Sequence, residues 1–90
     1  MKTTTAYALD VTKLPSGRFV ALIAELPEFI QHGDTMDELA QRTTLLVKRI
    51  LEERGHKVHS VSMHPEPPAE PREVRVMPVV ASVIAKYEAA

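Results

Sequence analysis

The chain has no cysteine and no tryptophan among its 90 residues. The absence of cysteine excludes disulfide bridges and thiolate metal sites, and it agrees with a reducing cytoplasm. Only two phenylalanines and two tyrosines are present, so the core must be largely aliphatic. A chain of this length predicts one small folded unit, which we expect to be cytoplasmic.

The chain also lacks a strong excess of either charge and any long apolar run. It carries 11 basic and 12 acidic side chains, for a formal net charge of −1. Nucleic-acid-binding domains usually show a clustered basic excess, which this composition lacks. No apolar stretch approaches the ~18 residues of a membrane-spanning helix, and the first residues do not form a secretory signal pattern. We therefore expect no membrane association.

The apolar pattern in the first third predicts an antiparallel hairpin. Residues 5–11 alternate weakly, and 18–25 form a second strand after a loop that contains Pro15 and Gly17. The second strand is apolar on both of its faces, which is typical of a strand buried on both sides. We expect one face to meet a helix and the other to meet a second subunit or the C-terminal segment.

A long helix is predicted over 36–54. Thr35 followed by Glu38 forms a capping box, and Gly55 is a suitable residue to end the helix in the left-handed region. Apolar side chains recur at helical spacing between these ends. The expected buried stripe consists of Met36, Leu39, Thr43, Leu46, Val47, Ile50 and Leu51. A further strand is predicted over 57–63.

The C-terminal third is divided by a proline-rich segment. Four prolines within 65–71 predict an extended spacer, which separates a domain over 1–64 from an arm over 72–90. The arm is expected to form a short strand and then an amphipathic helix over 79–87. Its apolar side chains suggest a homodimer interface, for which the candidate residues are Val74, Val76, Val80 and Ile84.

The order of these parts resembles the N-terminal domain of HicB-type antitoxins, a family of bacterial and phage toxin–antitoxin modules. The resemblance covers about 5–63. It is carried by Gly17-Arg18-Phe19-Val20-Ala21, Glu25-Leu26-Pro27, Gln31-His32-Gly33-Asp34-Thr35 and Glu38.

The resemblance implies an α+β fold and a function in binding rather than catalysis. The expected fold is an antiparallel sheet of three or four strands in β-β-β-α-β order, with one long helix across a face and the strand–helix arm appended. The expected function is neutralisation of a small, basic, mRNA-cleaving HicA-type toxin, without a cofactor. Family members continue into a DNA-binding domain, whereas only a strand and one helix are expected here, which puts direct DNA binding in doubt.

Two chemical alternatives and one functional alternative accompany this interpretation. HicB domains resemble a partial RNase H fold, and Asp10 and Glu25 could be remnants of a two-metal site, although we interpret both as solvated acids at strand ends. His56, His59 and His64 could suggest a metal site, but a spacing of three places His56 and His59 on opposite faces of a strand. The functional alternative is a non-enzymatic oligomerisation or regulatory module without a toxin partner.

Overall fold

The computed structural model describes residues 2–64 and 79–89, which form one helix and five strands. The predicted α+β class is confirmed. The proline-rich segment and the candidate interface residues Val74 and Val76 lie outside the described residues. The elements are β1 (Lys2–Lys13), β2 (Phe19–Leu22), β3 (Ile30–Gly33), α1 (Met36–Glu53), β4 (Lys57–His64) and β5 (Val79–Glu88).

The strands form a single antiparallel sheet in the order β3-β2-β1-β5-β4. The described sheet therefore has five strands rather than the expected three or four. Since β3 and β4 are the two edge strands and α1 lies between them in the chain, α1 must cross the sheet from one edge to the other. Its 18 residues span about 27 Å at 1.5 Å per residue, which exceeds the roughly 19 Å between the edges of five strands.

The prediction of a helix over 79–87 is wrong, because these residues belong to β5, which lies between β1 and β4. Val83 pairs with both Tyr7 and Met63, and Ala85 pairs with both Thr5 and Val61. The segment is rich in β-branched residues, which favour strands. From Ala81 onward, alternate residues also form two faces: Ala81, Val83, Ala85 and Tyr87 on one, and Ser82, Ile84, Lys86 and Glu88 on the other. The second face is polar except for Ile84.

The predicted long helix is confirmed as α1. The Thr35 hydroxyl accepts a hydrogen bond from the Glu38 backbone N–H at 3.1 Å, and Gly55 adopts the left-handed region with φ +88°. Most of the expected stripe is buried or half-buried. Met36 is the exception, with 40% of its surface exposed, because it lies in the first turn at the end of the sheet.

The core lies between α1 and one face of the sheet. It is aliphatic apart from Tyr7 and Phe29, as the composition predicted. Gly33 allows α1 to approach β3 closely, since a Cβ on Gly33 would lie 2.9 Å from the backbone N of Leu39. The largest fully buried side chains are Phe29, Leu9, Ile23, Leu26, Leu39, Leu51, Val47, Val83 and Thr43.

The face of β2 opposite α1 is more exposed to solvent than the sequence predicted. Ala21 and Ile23 are buried in the core, but Ala24 is exposed and Leu22 keeps 37% of its surface accessible. No second layer of described elements covers these side chains, and residues 79–88 lie within the sheet rather than over this face. Burial of this face by a second subunit stays a prediction. Within residues 2–64 and 79–89, the structure contains no helix that combines the length and the apolar character of a membrane-spanning segment.

Candidate functional site

A charged cluster surrounds His32 at the corner where β3 leads into α1. Arg18 Nη2 lies 3.3 Å from His32 Nδ1, and Arg42 Nη1 lies 3.4 Å from the same nitrogen. A guanidinium group can only donate hydrogen bonds, so Nδ1 acts as the acceptor and the ring proton of the neutral imidazole lies on Nε2. The two arginines therefore select one tautomer of His32.

Each arginine of this cluster also contacts a carboxylate. Arg18 Nε lies 2.9 Å from Asp34 Oδ1, and Arg42 Nη2 lies 2.6 Å from Glu38 Oε1. Arg42 also donates to the His32 carbonyl at 2.9 Å. Such partly exposed pairs contribute about 0–1 kcal/mol each. Because the two arginines are matched by two carboxylates, the cluster is nearly balanced in charge. The contacts of Arg42 with His32 link α1 to the edge strand β3.

A second polar cluster lies near the C-terminal end of α1, around two tyrosines. Tyr87 OH is 3.1 Å from Thr5 Oγ1, and its ring centroid is 4.9 Å from that of His56. Burial raises the pKa of the Tyr7 hydroxyl, and the neighbouring Tyr87 adds to the rise, while Arg54 opposes it. The Tyr7 hydroxyl thus stays protonated at neutral pH and acts as a hydrogen-bonding group of the core.

A serine–histidine contact on β4 was not predicted from the sequence. Ser62 Oγ and His64 Nε2 are 3.0 Å apart, because residues two apart on a strand share a face. That spacing was the signal that could have found the pair. A nucleophilic serine normally also needs a group that orients the histidine. Among the described residues, His64 has no carboxylate within ion-pairing distance, so the geometry amounts to a side-chain hydrogen bond.

The histidines near β4 occupy separate environments. His56 packs on Tyr87, whereas His59 Nε2 lies 3.6 Å from Glu88 Oε1. In residues 2–64 and 79–89, no group of three or more histidine, aspartate or glutamate side chains is placed to hold a metal ion.

The two carboxylates considered as remnants of a metal site differ in their surroundings. Glu25 is exposed in the turn after β2, as expected. Asp10 is only 8% exposed, so its interpretation as a solvated acid is wrong. Asp10 lies opposite Leu22 in the sheet, near the irregularity in the pairing of β1 with β5. Its burial follows from its position on the central strand rather than at a strand end.

Two of the four candidate dimer residues fall within β5. Val80 belongs to this strand, and Ile84 pairs with Ala6 and Ser62 on the face opposite α1. Ile84 is half-buried within the chain. The helix on which the interface was predicted is absent from residues 79–88, and the homodimer itself stays a prediction.

Exposed apolar side chains mark two surfaces. Leu22 and Ile30 are directly opposite each other on β2 and β3, with 37% and 65% of their surfaces exposed; we call them the β2–β3 patch. Leu45, which is 68% exposed on α1, lies between two shallow grooves. The α1–β4 groove is lined by Thr44, Leu45, Lys48, Val58, His59, Ser60 and Val61. The α1–β3 groove is lined by Gln31, Arg42, Leu45, Leu46 and Arg49.

Comparison of the chain with protein-family models, with curated protein sequences and with solved structures finds no match.

Proposed function

We propose that this chain is a cytoplasmic HicB-like antitoxin that neutralises a small HicA-type toxin by protein–protein binding. The proposal rests on the sequence resemblance over 5–63 together with one structural observation, the β2–β3 patch. Binding without catalysis also agrees with the side-chain clusters, whose hydrogen bonds and ion pairs are accounted for by the packing of the domain.

The β2–β3 patch supports the proposal because its two side chains form one continuous apolar surface. Directly opposite residues on neighbouring strands share a face, and Leu22 and Ile30 are opposite each other at the edge of the sheet. Complete burial of such a side chain contributes about 1.5–3 kcal/mol. Ile30, with 65% of its surface exposed, therefore offers a partner a substantial part of that energy.

Charged side chains close in sequence to the β2–β3 patch bear on the choice of partner. Glu25 and Glu28 are exposed in the turn that leads into β3, where Glu28 pairs with Arg54, and Arg18 lies beside His32, two residues after Ile30. Charges at the rim of an interface mainly affect partner choice and association rate. At a net charge of −1, we expect a modest contribution to steering, so the apolar pair supplies most of the affinity.

The proposal predicts a small basic reading frame beside the gene for this chain, and its test is inhibition of mRNA cleavage by the purified product of that reading frame. The full chain should block cleavage at a stoichiometric ratio. Ile30→Glu should weaken inhibition by about tenfold or more, equivalent to about 1.4 kcal/mol, because a charge replaces a buried apolar contact. Leu45→Glu is the matched control, since Leu45 is equally exposed but lies on α1, across the sheet.

Two results would contradict the proposal. Equal inhibition by the wild type and Ile30→Glu would exclude the β2–β3 patch as the contact surface. Absence of toxin binding, with the chain recovered as a homodimer by light scattering, would instead support the module without a toxin partner.

A further inference from the structure

The α1–β4 groove combines an apolar floor with an open strand edge. Val58 and Val61 are half-buried at its base, and the exposed Leu45 forms one wall. The groove encloses about 290 Å³, enough for a few side chains but too small and open to enclose a drug-sized ligand. Its shape therefore suits a segment of chain that lies along it.

The backbone beside this groove can accept another strand. β4 has eight residues and forms one edge of the sheet, so the N–H and C=O groups on its outer side face no other described strand. Their alternation is interrupted by a register shift between Val58 and Ser60 and is regular in the pairing of 60–64. Exposed strand edges bind extended peptides by adding them to the sheet. The other edge, β3, has only four residues and offers about half as many positions for pairing.

The charges along the α1–β4 groove favour an acidic ligand. Lys48 and His59 are the ionisable side chains that line it. Within the described part of the chain, Lys48 has no ion pair, whereas His59 lies 3.6 Å from Glu88. In the α1–β3 groove, by contrast, both arginines contact glutamates, Arg42 with Glu38 and Arg49 with Glu53. Lys48 is thus the cation available to a carboxylate.

We propose that the α1–β4 groove binds an extended acidic peptide segment of a partner protein as a sixth strand along β4. Alternate side chains of the peptide face the groove. Among these, apolar side chains pack on Leu45 and Val61, and a carboxylate pairs with Lys48. This inference goes beyond the proposed antitoxin function and does not depend on it, because the β2–β3 patch lies at the other edge of the sheet.

The probe is a fluorescent peptide as long as the eight-residue β4. It carries valine, glutamate and valine at its second, fourth and sixth positions, with serine and threonine between them. A second peptide has lysine in place of the glutamate. Fluorescence anisotropy with the full chain should detect binding of the acidic peptide and at least about tenfold weaker binding of the lysine peptide. Backbone NMR shifts should change along 57–64 and near Lys48.

Charge reversal at adjacent positions of α1 separates the two grooves. Lys48→Glu should weaken binding of the acidic peptide about tenfold and favour the lysine peptide. Arg49→Glu introduces the same change in charge one residue later, in the α1–β3 groove, and should leave binding within about twofold. Equal losses in the two variants, or equal binding of both peptides, would overturn the proposal.

Strand addition has its own test, which needs no change to the protein. In an extended peptide the amides of alternate residues point to opposite sides. Two peptides are compared, one N-methylated at its odd-numbered residues and one at its even-numbered residues. The peptide whose methylated amides face β4 should not bind, whereas the other should bind as the parent does. If both methylated peptides bind as well as the parent, or if the parent itself does not bind, the groove is not a strand-addition site.

Discussion

Replacement of Val83 with alanine should destabilise the whole domain. Val83 is fully buried on β5 and lies between Tyr7 and Met63. Burying a valine side chain contributes about 1.5–3 kcal/mol, and truncation leaves a cavity that adds to the loss. We therefore expect the free energy of unfolding to fall by about 2–3 kcal/mol, out of roughly 5–13 kcal/mol for a chain of this length. The melting temperature should fall by about 10–20 °C.

Urea denaturation followed by circular dichroism measures this loss. Lys86→Ala is the control, because Lys86 lies on the same strand but is exposed, and its replacement should change stability by less than about 0.5 kcal/mol. If Val83→Ala were no more destabilising than Lys86→Ala, β5 could not be a central strand of the core. The order β1-β5-β4 within the sheet would then be wrong.

Two further predictions concern close packing and pH. Gly33→Ala should cost about 1–3 kcal/mol, because the added methyl group would lie 2.9 Å from the backbone N of Leu39; an unchanged thermal melt would contradict this. The raised pKa of Tyr7 predicts that stability is lost as pH rises above about 10, since the unfolded chain then releases a proton that the folded chain retains. Tyr7→Phe should remove that part of the pH dependence in urea titrations at stepped pH, and an unaltered profile would refute its assignment to Tyr7.

Local signals in the sequence predicted α1 well. The hydroxyl of Thr35, the left-handed Gly55 and the apolar spacing between them all act within a few residues. β5 was wrongly predicted because Val79, Val83 and Tyr87 fit a helical period as well as a strand. Its identity depends on pairing with residues of β1 that lie 69 to 86 positions earlier in the chain, as the pairs Asp10–Val79 and Lys2–Glu88 show, and no local pattern contains that information.

The candidate site residues also divide into contacts that a local sequence pattern reveals and contacts that only the fold brings together. The offset of two between Ser62 and His64 was visible in the sequence, but the contacts of His32 combine side chains from three separate segments. Similarly, the groove beside Lys48 exists only because α1 crosses the sheet to reach β4. Sequence reasoning could find these residue types, but it could not bring them together without the correct order of strands.

The position of β5 has a consequence for how the domain acquires its structure. Lys2 pairs with Glu88, so the sheet joins residues from opposite ends of the described chain. During synthesis β1 through β4 emerge before β5, and the edges of β1 and β4 that β5 joins have no native partner until then. Such distant pairings slow folding and leave unpaired strand edges prone to aggregation. Because β5, an interior strand, is the last of the described strands to be made, the domain can complete its sheet only after nearly all of the described chain has been synthesised.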